Sequence, residues 1–245
     1  MRELRLVVVG LTVLAALLAA SVACGGGGGE GEATPTSTAT GVPASTATPV
    51  DTQVQQQLRQ IVLPLEELPA GVTLAEEYFA TNDESAAATS DPAGRLAKLE
   101  EWGRILGYEV TYQANPEVIS QTGLILINSN ASLYGSDEGA SASFAEAAET
   151  ARTTDWAAMF GGVEDVELEE LPSPNWADEM LWLRIKAKAD TEEGDEETFA
   201  NDFVLFRQGP GRAALIVGWI MGRGSGNITV QLAQAQAERL ESALP

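Results

Sequence analysis

Apolar residues in this chain repeat at two different spacings, which predict helices in some segments and strands in others. Intervals of three and four residues predict helices over 54–62, 91–106, 136–152 and 227–244. Alternating or continuous apolar stretches predict strands over 72–79, 108–112, 124–134, 163–168, 180–189, 199–207 and 212–221. The expected fold is α+β, an antiparallel sheet with helices packed on one face.

Two of these segments carry more specific expectations. The segment 212–221 is apolar after its first residue except for Gly218, so it is expected at the centre of the sheet, where both faces of a strand are covered. The helix over 91–106 is expected to begin with Asp91 as N-cap and Pro92 in its first turn, and to end at Gly107.

A short sequence occurs twice and suggests an internal duplication. Leu-Glu-Glu-Leu-Pro stands at 65–69 and again at 168–172. The predicted order of strand, turn, apolar strand and alanine-rich helix also recurs, over 108–152 and 203–244.

The N-terminal segment has the parts of an export signal. Arg2 and Arg5 precede an apolar stretch over 6–20, which is shorter than the ~20 residues of a membrane-spanning helix. The sequence Ser-Val-Ala-Cys at 21–24 is compatible with lipidation of Cys24 after cleavage. Ordinary signal-peptidase cleavage after Ala23 is the alternative, and it would leave Cys24 as a free thiol.

The residues after Cys24 predict a tether. Five glycines at 25–29 lead into Thr, Ser, Ala and Pro repeats through Pro49, and such a segment has too few apolar side chains to offset its ordering entropy. We therefore expect a signal peptide over 1–23, a lipidated cysteine with a disordered linker over 24–50, and one globular domain over 51–245.

This arrangement resembles the small, uncharacterised lipoproteins of bacterial envelopes, which combine a lipobox, a Gly/Ser/Thr/Pro tether and one α+β domain. The family usually has leucine at the position of Ser21. The resemblance implies an exported protein, anchored by lipid at Cys24 to the outer face of the cell membrane or in the periplasm, with a binding or scaffold role.

Charge and composition exclude several functions. The formal net charge of −22 repels nucleic acid, which is therefore not an expected partner. The chain contains no histidine, which excludes Ser-His-Asp and Cys-His catalysis and His-ligated zinc or haem. Its single cysteine excludes an intrachain disulfide. The loop Gly-Arg-Gly-Ser-Gly at 222–226 lacks the third glycine of a dinucleotide-binding fingerprint, and no cofactor is expected.

Two carboxylate-based alternatives remain. The acidic segment 190–197 offers ligands to calcium but lacks the EF-hand spacing, so a solvated hairpin tip is the expectation and no metal ligand is assigned. A glycan-active hydrolase needs two carboxylates and could use tryptophans as sugar platforms: Trp102, Trp156, Trp176 or Trp182. Because no pair of acids stands out, no catalytic residue is assigned. The sequence favours a non-enzymatic, lipid-anchored binding or scaffold domain.

Overall fold

The computed structural model describes residues 52–160, 165–190, 196–223 and 228–244. The strands in this part of the chain are β1 (Val72–Ala80), β2 (Arg104–Ala114), β3 (Leu124–Tyr134), β4 (Val166–Glu170), β5 (Glu179–Asp190), β6 (Glu196–Gln208) and β7 (Gly211–Ile220). The helices are α1 (Thr52–Ile61), α2 (Asn82–Ala87), α3 (Pro92–Glu101), α4 (Pro116–Thr122), α5 (Asp137–Thr153), α6 (Trp156–Met159) and α7 (Ile228–Ala243), with a 3-10 turn at Leu65–Glu67.

All of these strands belong to one antiparallel sheet in the order β1-β2-β3-β7-β6-β5-β4. This confirms the predicted α+β class and places β7 at the centre. The strand β7 is continuously apolar because both of its faces are covered by packed residues. Leu215 packs in the core that contains α1 and α7, whereas Ile216 packs in a second core that contains α5.

The helices therefore divide between the two faces of the sheet, whereas the sequence pattern suggested one face. The face with α1 and α7 carries the larger apolar core and also the buried ion pair of Arg184 with Asp202. The opposite face has two parts: α5 covers an apolar region of β5, β6 and β7, and α2 and α3 lie over a more polar region of β1 and β2.

The helix predicted over 91–106 is shorter than expected. Asp91 is the N-cap as predicted, since its side chain accepts a hydrogen bond from the Gly94 amide at 3.0 Å. The helix ends at Glu101, Gly103 takes a φ of +63°, and β2 starts at Arg104. The prediction was too long because Leu106 fits two patterns: it is four residues from Trp102, a helical spacing, and two residues from Tyr108, a strand spacing. In the structure Leu106 belongs to β2 and is buried.

The repeated sequence does not adopt a repeated structure. Its first copy contains the 3-10 turn at Leu65–Glu67, and its second copy begins in the edge strand β4. The strand-strand-helix order does recur in β2-β3-α5 and β6-β7-α7. However, α5 and α7 lie on opposite faces, whereas a two-fold axis through the β3-β7 pair would place them on the same face. The similarity is therefore limited to sequence and element order.

Candidate functional site: an arginine-lined cavity under α2 and α3

A cavity of about 320 Å³ lies between the polar face of β1, β2, β3 and β7 and the helices α2 and α3. Its polar lining residues are Tyr78, Glu84, Ser85, Arg95, Arg104, Tyr108, Glu109, Asn130, Ser132 and Arg212. Its volume is at the lower end of the range typical of small-molecule sites. This is the candidate functional site.

Strand pairing builds the floor of the cavity as two rows of residues across the sheet. The first row is Ala80, Gly107, Ser132 and Arg212, which are successive register partners on β1, β2, β3 and β7. We call it the arginine row, because Arg104 also lies over it. The second row, the Glu109 row, is Tyr78, Glu109, Asn130 and Ala214. Adjacent rows are two residues apart along each strand, or about 7 Å.

Arg104 is held over the arginine row by neutral groups. Its Nε donates to Ser132 Oγ at 3.2 Å, and its Nη1 donates to the Ala80 carbonyl at 3.2 Å and to Asn82 Oδ1 at 3.0 Å. No hydrogen bond from Nη2 occurs within the described residues. Burial lowers the pKa of Arg104 to about 10, and the charges of Arg212 and Arg95 act in the same direction.

Arg212 enters the same region from β7. Its Nη1 donates to Ser143 on α5, to Oγ at 2.8 Å and to the carbonyl at 3.3 Å. The Ser143 hydroxyl is also 2.6 Å from the Tyr134 hydroxyl. Like Arg104, Arg212 is thus oriented by neutral partners, and it forms no ion pair with any carboxylate of the described chain.

Arg95 on α3 completes the basic lining and differs from the other two. It is 9% exposed and forms an ion pair with Glu146 at 3.2 Å, a carboxylate that Lys98 also contacts at 2.6 Å. Its guanidinium lies 5.2 Å from the centre of the Trp102 ring. Burial and the nearby charge of Arg212 lower the pKa of Arg95, while Glu146 acts against them.

Glu109 places a carboxylate in the second row. It is 5% exposed, and its Oε1 accepts a hydrogen bond from Asn128 Nδ2 at 2.8 Å. Burial raises the pKa of the Glu109 carboxyl, while hydrogen bonds from Asn128 and Tyr78 act in the opposite direction. The other carboxylate of the cavity, Glu84, is used in the capping box of α2, where it accepts from both the amide and the hydroxyl of Thr81.

Among the described residues, none of those considered as a site from the sequence lines this cavity. Cys24 and the tether are outside the described residues, as are 191–195 of the acidic segment and 224–226 of the glycine loop. Within the described ranges, no group of three or more His, Cys, Asp or Glu side chains is placed to hold a metal ion. In the same ranges no helix is long and apolar enough to cross a membrane.

Sequence reasoning missed the arginine cavity. It placed Arg104 inside a helix and assigned Gly107 as the cap of that helix, whereas both belong to β2. It also missed α2, whose signal was present in Thr81 and Glu84, the spacing of a capping box. Of the tryptophans considered as sugar platforms, Trp156 and Trp182 are buried at 4% and 5% exposure.

Comparisons with known proteins give little further information. No protein-family model matches the chain, and no curated protein sequence matches it. Among solved structures, the extracellular domain of PknH from Mycobacterium tuberculosis is similar at 9% identity and a TM-score of 0.47, over 76% of this chain and 94% of that one. A similarity of this size establishes no shared function.

Proposed function

We propose that this chain is an exported, lipid-anchored protein whose globular domain binds a small anion in the arginine-lined cavity. One observation carries the binding role. Arg104 and Arg212 face a cavity without a carboxylate partner in the described chain, although the sequence has 36 acidic residues and 14 basic ones. Every other described arginine and lysine forms an ion pair: Arg59, Arg95, Lys98, Arg152, Arg184, Lys186, Lys188, Arg207, Arg223 and Arg239.

Keeping two such charges together in a fold is costly. Burial penalises the charged form of a guanidinium, and neighbouring like charges add to the penalty, which is why the pKa of Arg104 is lowered. A bound anion would remove this penalty and would accept hydrogen bonds from the free guanidinium nitrogens. The net negative charge of the protein does not prevent this, because salt screens exposed charges beyond about 8–10 Å, whereas a bound anion would contact the guanidinium groups directly.

The placement outside the cytoplasm is supported by the sequence of the first 50 residues. The basic start, the apolar stretch and the small residues before Cys24 have the pattern of a lipoprotein signal. The glycine-rich tether that follows would hold the domain away from the membrane surface. The alternative of a glycan-active hydrolase has less support, because it needs a pair of carboxylates, and of the two in the cavity Glu84 is engaged in the capping box of α2.

The binding role is tested by calorimetry and thermal unfolding of the mature protein with inorganic phosphate and sulfate at constant ionic strength. A ligand that binds only the folded state raises the unfolding midpoint. We expect a saturable rise for at least one of these oxyanions, and a loss of most of it in Arg104→Gln and in Arg212→Gln.

Arg152→Gln is the matched control, because Arg152 is an exposed arginine paired with Glu170 on β4. It should keep the ligand-induced shift of the wild-type protein. Each shift is referred to the midpoint of the same variant without ligand, so that loss of stability is not mistaken for loss of binding. If neither oxyanion binds, or if all three variants bind equally, the proposed function is wrong.

A further inference from the structure

We infer that the ligand of this cavity is an organic phosphate monoester that carries a hydroxyl group close to its phosphate. The inference rests on the proposed anion-binding function and concerns its ligand class. It follows from the different chemistry of the two rows on the cavity floor, the arginine row and the Glu109 row.

The arginine row fits a doubly charged group. Arg104 and Arg212 together provide two positive charges, and neither forms an ion pair with a carboxylate of the described chain. A phosphate monoester carries about −1.5 to −2 charges at neutral pH and three strong acceptor oxygens. A monocarboxylate would neutralise only one of the two arginines.

Hydrogen-bond donors are available in this row. Arg104 Nη2 has no partner within the described residues, whereas Nε and Nη1 are occupied. Ser132 Oγ accepts the Arg104 Nε–H, so the proton of the Ser132 hydroxyl is free to point into the cavity. Arg104 can therefore donate to phosphate only through Nη2. Arg212 bonds Ser143 through Nη1 alone among the described residues, so its Nε and Nη2 remain on one edge of the planar guanidinium for two parallel hydrogen bonds to phosphate oxygens.

In the Glu109 row, the Glu109 carboxylate accepts hydrogen bonds and donates none. A carboxylate can accept about four hydrogen bonds, and the contacts from Asn128 and Tyr78 use only part of this capacity. Because the carboxylate repels an anion, it restricts the phosphate to the arginine row. A hydroxyl group on the same ligand, by contrast, would donate to Glu109.

The distance between the rows sets the shape of the ligand. Residues two apart on one strand are about 7 Å apart, which a chain of two or three carbon atoms between phosphate and hydroxyl would span. The cavity volume of about 320 Å³ accommodates a molecule of this size. Polyol and sugar phosphates have this arrangement, and alkyl phosphates lack the hydroxyl.

The test compares two probes that differ only in their hydroxyl groups, glycerol 3-phosphate and propyl phosphate, with inorganic phosphate as the reference. Calorimetry on the mature wild-type protein should show glycerol 3-phosphate binding about tenfold tighter than propyl phosphate. In Glu109→Gln this ratio should fall at least threefold, because a hydrogen bond to a neutral amide oxygen is weaker than one to a carboxylate. The affinity for inorganic phosphate should be unchanged or higher.

Glu84→Gln is the matched control, since it makes the same substitution at the other carboxylate of the cavity, which already serves the α2 capping box. It should keep the tenfold ratio. If phosphate binds but the two esters bind equally well, or if Glu84→Gln rather than Glu109→Gln reduces the ratio, this inference is wrong and the anion site stands. If sulfate binds but neither phosphate nor either ester does, this inference is wrong and the anion site stands. If none of phosphate, sulfate and the two esters binds, both proposals are wrong.

Discussion

The guanidinium of Arg104 lies over the backbone of Gly107, in the space that the β-carbon of any other residue would occupy. The two residues are three apart on β2, where a register shift at the start of the strand brings the arginine back over its own chain. The absence of a side chain at 107 is therefore what allows Arg104 to face the cavity while it bonds to Ser132, Ala80 and Asn82.

The first prediction concerns Gly107→Ala. The added methyl group would contact Arg104 Nη2 and displace the guanidinium from the arginine row. We expect phosphate affinity to fall about tenfold, with a loss of about 1–3 kcal/mol in the free energy of unfolding as the Arg104 hydrogen bonds weaken. Gly135→Ala is the control, because its β-carbon would meet only ordinary contacts. Unchanged phosphate binding by Gly107→Ala would contradict this account of the site.

The second prediction is that the free energy of unfolding depends on pH because Glu109 is buried. Because burial raises the pKa of this carboxyl above its ordinary value of 4.5, the folded protein binds more protons than the unfolded chain over the interval between the two pKa values. The stabilising contribution is complete below pH 4.5 and is lost as the pH rises through the folded pKa. Urea unfolding from pH 4.5 to 7 should therefore show wild-type stability falling relative to Glu109→Gln. Parallel profiles would contradict the prediction.

A buried ion pair on the face opposite the cavity gives a third prediction. Asp202 is 0% exposed and binds Arg184 through two hydrogen bonds of 2.6 and 2.9 Å, and Arg184 lies 5.0 Å from the centre of the Trp219 ring. Asp202→Ala leaves a partly buried arginine unpaired and should cost about 3–5 kcal/mol.

The control for this pair is the double variant Asp202→Leu with Arg184→Met, which removes both charges and keeps apolar volume. Replacement of both partners of a buried pair is often neutral, so the double variant should be clearly more stable than Asp202→Ala in denaturant unfolding. An equal or larger loss in the double variant would show that the pair itself stabilises the fold.

The fourth prediction concerns Ile216→Ala, a truncation in the central strand β7. Ile216 is 2% exposed and packs in the core that α5 covers. Truncation should cost about 2–5 kcal/mol, the range for a buried aliphatic side chain. Leu65→Ala, at a residue 42% exposed, is the matched control and should change stability by no more than about 0.5 kcal/mol. A loss below about 1 kcal/mol for Ile216→Ala would contradict the packing of this face.

The last prediction addresses the anchor. Cys24→Ala should release the protein from the membrane fraction, since the lipid would have no attachment site. Mass spectrometry of the native N-terminus should find an acylated Cys24 in the wild-type protein. An unmodified thiol, or a variant that stays equally membrane-bound, would exclude the lipoprotein hypothesis and favour ordinary cleavage after Ala23. The unfolding midpoint of the domain should be the same in both proteins.

Local patterns determined most of the secondary structure. The strands over 124–134 and 212–221 and the helix over 136–152 were predicted to within one residue of β3, β7 and α5, because a buried face imposes its period on the sequence directly. The central position of β7 also followed from its apolar side chains alone. The predicted export signal and the candidate anchor at Cys24 likewise come from the pattern of the first 50 residues.

Only the tertiary structure determined the cavity. Its arginine row joins Ala80, Gly107, Ser132 and Arg212, which are far apart in the sequence and meet only through the register of four strands. The register is set by how whole strands pair, and the spacing of residues within one strand does not show which residues of the neighbouring strands lie opposite them. The sequence also does not show which arginines lack an ion-pair partner, because Arg104 and Arg152 are the same residue type. Folding gives Arg152 a carboxylate partner and leaves Arg104 with neutral ones, and that difference identifies the candidate site.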